Sequence, residues 1–356
     1  MISEQVLLGN TTINVSTVRT RRYKLLNIVK SLVQGAGMKH RVSNCMHLIH
    51  SSSVDIKQKA SGKAYYSGVS VCGSVWVCPV CASRISNARR DELGLALSGN
   101  NFMPVMASIT LQHYRNDDLK MLTGVLNDAL RKLKQGRWWK EFTGRYGIKA
   151  YVSSLEITFS LKHGWHPHKH VLFFLDVSSG KPDIQALKDE LIGRYTSLVR
   201  EKGMYASEFH SIDVTACGDD ISGYISKWGL MDELAKANIK MGKSESYSPF
   251  QLVELAGAGE AWAVQAFREY VHATSGKKQL TWSHGARKVL GLDKEKSDKE
   301  LAKVKESKDD EIILSLDREQ WKQVLRHGLQ GELLDVAEQG GTGAVICFLS
   351  GLAPPG

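Results

Sequence analysis

Two groups of residues have types and spacings suited to chemistry. Three cysteines lie close together in Cys72-Gly-Ser-Val-Trp-Val-Cys78-Pro-Val-Cys81, and Cys45 lies upstream. A Cys-x-x-Cys knuckle suits tetrahedral Zn²⁺, because its tight turn brings both sulfurs within about 2.3 Å of one ion. Cys45 is the expected fourth ligand, with His47 and His50 as alternatives. Four thiolates leave no open position, so this zinc would be structural. The second group is His166-Pro-His168-Lys169-His170. On a strand, side chains alternate faces, so the three imidazoles share one side. Each needs a polar partner if buried, which packing alone does not supply.

A carboxylate beside two imidazoles can hold a divalent cation and leave positions for substrate oxygens. Glu156 becomes that carboxylate if AYVSSLEITFS and HPHKHVLFFLD pair as a hairpin through LKHGW, where Gly164 permits the turn. His166 is then either a further ligand or a partner of the ligands. Downstream, Asp220, Tyr224 and Lys227 fall on one face of a helix expected over DDISGYISKWGLMDELAK, which Asp219 can cap. A lysine beside a phenol favours phenolate, and so an activated nucleophile. A zinc deaminase is excluded: that chemistry needs His-x-Glu, and none of the twelve histidines has a glutamate two residues on.

These residues need elements to position them. A buried strand is expected in VMASITLQH. A helix over 117–134 carries Leu119, Leu122, Leu126, Leu130 and Leu133 on one apolar face. A second amphipathic helix covers 183–200, and FHSIDVTAC reads as a strand. The polar stretch KMGKSESYSP separates this α+β region from a helix-rich tail. In that tail 294–310 is a charged helix or linker, Asp317 caps REQWKQVLRHGL, and GGTG follows as a turn. The expected division is 1–100 as basic arm and zinc element, 101–236 as core, and 237–356 as helical region.

At 356 residues, with 42% hydrophobic and 24% charged, the chain is long enough for about two domains and is not mostly disordered. A net charge of +10 suits a polyanionic partner, nucleic acid or an anionic membrane surface. Six cysteines are too sparse for a disulfide-stapled secreted protein. No signal-peptide pattern opens the sequence, and no apolar run approaches the roughly 18 residues of a membrane span. The expectation is a cytoplasmic protein without a membrane partner. Arg131, Lys132, Lys134, Arg137, Trp138, Trp139 and Lys140 mix charge with aromatics as a single-strand groove does, or else end a helix whose tryptophans enter the core. Arg21 and Arg22, in a basic N-terminal cluster, and Arg84, Arg89 and Arg90 are further candidates for phosphate contact.

The strand with Thr110, the HPHKHVLF block and Tyr224-x-x-Lys227, in this order, resemble the ordered motifs of HUH endonucleases. They resemble most the single-tyrosine rolling-circle replication initiators of plasmids and phages, whose upstream cysteine-rich stretch CGSVWVCPVCASRI is also similar. The resemblance spans about 45–236. It implies an HUH-type core: an antiparallel sheet carrying the histidine strand, with flanking helices. It also implies a nickase of single-stranded and hairpin origin DNA, with duplex origin DNA, a host helicase and a polymerase as further partners.

His168, His170 and Glu156 match the family's metal ligands, for Mg²⁺ or Mn²⁺, and Tyr224 matches the nucleophile that forms a 5′-phosphotyrosine and frees a 3′-OH primer. Lys169 stands where the family is usually hydrophobic. Asp220 stands where plasmid members often carry a water-activating glutamate, one methylene longer. Trp228 occupies the place of the second tyrosine of some phage relatives, so one tyrosine is expected. The alternatives are a mobilisation or transposition nickase and a non-enzymatic zinc-dependent DNA-binding regulator. No GxxxxGK[ST] loop marks a helicase.

Overall fold

The computed structural model describes residues 18–99, 101–178, 180–216 and 246–352. The chain divides into two compact units: Met1–Asn27, Met46–Ser70 and Val304–Gly356 form one, and Ile28–Cys45 with Val71–Lys303 the other. Both are discontinuous along the chain.

The first unit is small. Strands β1 (Val54–Gln58), β2 (Ala64–Ser67) and β9 (Glu311–Leu316) form an antiparallel sheet in the order β2-β1-β9. It is covered by the first turns of helix α1 (Val18–Gly35), by α10 (Arg318–His327) and by α11 (Gln330–Ser350). The buried ring of Tyr66 meets Trp321 edge-on at 4.8 Å and Tyr23 at 6.3 Å. The basic N-terminal cluster is therefore helical: Arg19 pairs with Asp335 at 3.0 Å and with Glu338, and Lys24 pairs with Glu332 at 3.1 Å. Arg21 and Arg22 lie half-buried on the same helix. Asp317 caps α10 as expected, its carboxylate accepting from Glu319 and Gln320 amides. The turn expected at GGTG is instead helix, because α11 runs through it with a kink at Gly341, whose φ of 59° only glycine takes easily.

The second unit is built on a fully antiparallel sheet in the order β6-β3-β5-β4-β7, with β8 also on β4. Its strands are β3 (Met103–Thr110), β4 (Ile148–Ser160), β5 (Gly164–Leu175), β6 (Ile212–Ala216), β7 (Ser246–Tyr247) and β8 (Leu280–Trp282). The short β4–β5 connection turns at Gly164 (φ +74°), where a Cβ would lie 2.5 Å from the Arg115 carbonyl oxygen. Even-numbered β5 residues share one face. Near the hairpin end that face carries His166, His168 and His170. Farther along, Leu172, Phe174, Val152 and Ala150 join a buried cluster with Leu93 of α2 (Pro79–Ser98) and Ala286 of α8 (Ala286–Val289).

The opposite face is covered by α3 (Leu119–Leu133), α4 (Gly136–Arg145) and α7 (Ala261–Thr274). All five predicted leucines of α3 are buried. Both faces are thus covered along Val171–Leu175, which explains its unbroken hydrophobic run. Ser246 and Tyr247 pair with β4, so part of the stretch read as a separator joins the sheet, as does β8. Helix α5 (Ile184–Arg200) leads toward β6; α6 (Pro249–Gly257) precedes α7, and α9 (Asp298–Ala302) is the helical portion of the charged segment. No helix among the described residues is long and apolar enough to cross a membrane.

Candidate active site

Antiparallel register sets Glu156 of β4 directly opposite His168 of β5, and Ser154 opposite His170. On the other side Ser108 and Thr110 of β3 oppose His170 and His168. One carboxylate oxygen, Oε2 of Glu156, lies 3.0 Å from Nε2 of His168 and 2.9 Å from Nε2 of His170. Ser108 Oγ lies 3.0 Å from Nδ1 of His170 and holds that ring so that Nε2 faces the carboxylate. Burial works to raise the Glu156 pKa, but hydrogen bonds and charge from the two imidazoles prevail and hold the carboxyl well below its usual range. Glu156 is therefore an anion at neutral pH.

These three donors fit a divalent cation. Bonds of about 2.1 Å at right angles put neighbouring octahedral ligands about 3.0 Å apart, the spacing found here. Glu156, His168 and His170 form a group able to hold a metal ion. His168 Nδ1 is buried without a partner among the described residues, so that ring is anchored through Nε2.

His166 does not join this group. Its Nε2 is 3.1 Å from Thr110 Oγ1, and its ring stacks on His113 with centroids 4.9 Å apart. Burial, then the neighbouring His168 and His113, push its pKa down to about 4, so His166 is neutral at pH 7. Ser108 and His113 were missed from sequence. Ser108 had a signal, since it alternates with Thr110 along β3.

The four thiols Cys45, Cys72, Cys78 and Cys81 stand together, all buried. Cys45 and Cys72 each place Sγ 3.6 Å from Cys81 Sγ, and Cys78 Sγ lies 3.6 Å from Cys45 Sγ. Metal–sulfur bonds near 2.3 Å in a tetrahedron give about 3.8 Å between sulfurs, so a four-thiolate ion fits. The knuckle amides support it, with the Cys81 amide donating to Cys78 Sγ and the Ser74 amide to Cys72 Sγ, both at 3.4 Å. Burial pushes the Cys78 thiol well up, while hydrogen bonds from the other three sulfurs hold the Cys81 thiol well down. The nearly buried Lys30 lies close enough to feel the charge of Cys45, Cys78 and Cys72, which offsets a thiolate cluster's negative charge. His50 is elsewhere engaged, its Nε2 3.1 Å from the Val69 carbonyl oxygen.

Asp220, Tyr224 and Lys227 lie outside the described residues. The 131–140 segment sits on the sheet face opposite the histidines. Trp139 meets Tyr151 edge-on at 5.7 Å and Phe173 at 6.4 Å, and Trp138 stacks on Phe142 at 4.9 Å. Its charges are partly matched: Arg131 with Asp128, Lys132 with Glu201 and Arg137 with Glu141. Lys140 is exposed. Lys169 points to this face and is buried; burial first, then Lys134 and Lys277, push its pKa down to about 8. Arg84 and Arg89 are also engaged, Arg84 donating to the Ala302 carbonyl at 3.0 Å and Arg89 pairing with Asp298.

Fold and site together define an antiparallel-sheet protein with a two-histidine, one-carboxylate group able to hold a metal ion on its central strands, and a separate four-cysteine group. The chain belongs to the replication protein family Rep_1, whose model matches residues 66–323. It is 24% identical over 367 aligned positions to "Protein rep" of Streptomyces lividans, covering 81% of this chain and 79% of that protein. It is 23% identical over 172 positions to "Neomycin resistance protein" of Streptomyces cyanogenus, covering 41% of this chain and 39% of that one. No solved structure matches. Membership of this family, with the HUH-like site, makes the chain a replication protein of the rolling-circle initiator type.

Proposed function

We propose that this replication protein nicks and rejoins single-stranded origin DNA, with Tyr224 as nucleophile. The observation that carries the reading is the convergence of two imidazole nitrogens on one ionised carboxylate in a chain of this family. A divalent cation held there, Mg²⁺ or Mn²⁺, would polarise the scissile phosphate. Glu156 supplies the anionic ligand, and Ser108 fixes the direction of His170. The Tyr224 oxygen attacks phosphorus and forms the P–O bond of a 5′-phosphotyrosine. The P–O3′ bond breaks, and the departing oxygen takes a proton to become the 3′-OH primer. Lys227 favours the phenolate of Tyr224. Asp220 activates the water or strand end that closes the cycle.

Zn²⁺ at Cys45, Cys72, Cys78 and Cys81 is structural, since four thiolates leave no position for substrate. Arg21, Arg22, Arg131, Lys132, Arg137 and Lys140 contribute phosphate contact to single-stranded or hairpin DNA, while Trp138 serves packing. A host helicase and polymerase extend the primer.

The test incubates the protein with single-stranded origin DNA and Mn²⁺ and analyses the product by mass spectrometry. A DNA adduct on Tyr224, absent in Tyr224→Phe, is expected. Binding without cleavage by the intact protein would leave a DNA-binding regulator instead.

A further inference from the structure

Three aromatic rings stand out in solvent: Tyr114 is 65% exposed, Tyr205 54% and Phe209 84%. They are the aromatic members of the exposed large hydrophobic side chains among the described residues, and all lie on the segments that follow β3 and precede β6, at the sheet end that carries the histidines. The chain leaves β3 at Thr110, level with His168, and runs directly into His113 and Tyr114. The Gln112 amide donates to the Tyr205 carbonyl oxygen at 3.0 Å, and the Gln112 side chain donates to the Tyr114 hydroxyl. Thr110 in turn donates its amide to the Ser211 carbonyl at 2.8 Å, which brings in the loop holding Phe209. A lone exposed ring needs no explanation, but three at one edge of one site do.

At the same sheet end, next to Tyr114 along the chain, lies a cavity of about 250 Å³ whose walls include His113, His166, Thr158, Ser160 and His163. It is smaller than the roughly 300–1,000 Å³ of a drug-sized ligand site, and so suits one planar heterocycle. The stacked His113–His166 pair supplies a flat wall, and the hydroxyls supply hydrogen-bonding partners. Exposed Arg115 and Lys162 flank the same end, and neither makes an ion pair among the described residues.

We propose that Tyr114, Tyr205 and Phe209 form a stacking track for the unpaired bases of a DNA single strand, with the His113–His166 cleft taking one base. The inference rests on the single-strand reading above and names the residues that hold the bases. Rings accept any base through its π-face, and the exposed cations at the same end meet the phosphates. Their role is positioning: they hold the strand so that one phosphate lies over Glu156, His168 and His170.

The test measures binding of a fluorescein-labelled thymidine oligonucleotide to the full chain, without Mg²⁺ or Mn²⁺, by anisotropy. Tyr114→Ala, Tyr205→Ala and Phe209→Ala should each weaken binding about 5- to 100-fold. Tyr114→Phe, Tyr205→Phe and Phe209→Tyr, which keep a ring, should stay within about twofold of the parent. An abasic oligonucleotide of equal length should bind parent and alanine variants alike. Alanine variants that bind the thymidine strand like the parent, or lose equally on the abasic one, overturn the inference; the former is the outcome if the rings serve a protein contact instead. Ring-dependent binding without nicking in Mn²⁺ would remove the nicking reading alone. Nicking with ring-independent binding would remove the stacking track alone.

Discussion

Removing the Cys45 sulfur tests the four-thiolate site most directly. Cys45→Ala leaves the Cys78–Cys81 knuckle whole but takes away a ligand more than twenty residues upstream of Cys72. A structural zinc supplies about 10–16 kcal/mol of apparent binding free energy, so one ligand in four carries about 3–4 kcal/mol. Cys45 is 0% exposed, so bulk water does not reach its place freely, and the lost sulfur leaves a void worth about 1 kcal/mol more. The sum, about 4–5 kcal/mol, is a large part of a typical folding free energy of about 5–15 kcal/mol. At about 2–4 °C per kcal/mol for a domain of this size, the melting temperature should fall by roughly 8–20 °C. Calorimetry gives the shift, and elemental analysis of the desalted protein gives metal per chain. A Cys45→Ala protein that keeps one tightly bound zinc and melts with the parent would refute the reasoning. So would a His50→Ala protein that loses the metal.

Glu156→Gln removes the negative ligand but keeps its shape, so Mn²⁺ affinity should fall at least tenfold by titration calorimetry, with zinc content unchanged. Lys134 lies 5.0 Å over the Tyr151 ring, and burial pushes its pKa down to about 8. A lysine whose folded pKa is depressed destabilises the fold while it is charged, and this cost fades as pH rises through the folded value toward the unfolded one. Lys134→Met should therefore be more stable than the parent below pH about 8, by about 1–2 kcal/mol in urea unfolding after screening, and the difference should vanish by about pH 10.5. Phe142 is 1% exposed between Trp138, Trp139 and Tyr146, so Phe142→Ala should cost about 3–5 kcal/mol in urea unfolding, whereas the exposed Arg137→Ala should cost under about 1 kcal/mol.

Much of the metal site was legible because its information is local. Alternation along a strand puts His166, His168 and His170 on one side whatever surrounds them, and a short hairpin leaves little freedom in where Glu156 falls. The knuckle Cys78–Cys81 is local in the same way. The separation of roles among the three histidines was not legible. His166 differs from its neighbours only because Thr110 and His113 arrive from β3, and strand pairing between distant segments has no periodic signature. The aromatic and basic 131–140 segment shows the same limit. Composition alone suits a single-strand groove or a helix packed on a core, and the choice depends on which sheet face receives α4.

The sequence by itself determined the α+β class, the leucine face of α3, the shared face of the histidines and the family motifs, all of which depend on neighbours a few residues apart. Only the tertiary structure decided that Cys45 rather than His50 completes the sulfur cluster. Only it returned β7 and β8 to the sheet, carried α11 through the glycines near 341, and gathered Tyr114, Tyr205 and Phe209 at one rim. The physical reason is common to these cases. Each joins segments tens of residues apart, and such contacts follow from how whole elements share a core, which no short window of sequence contains.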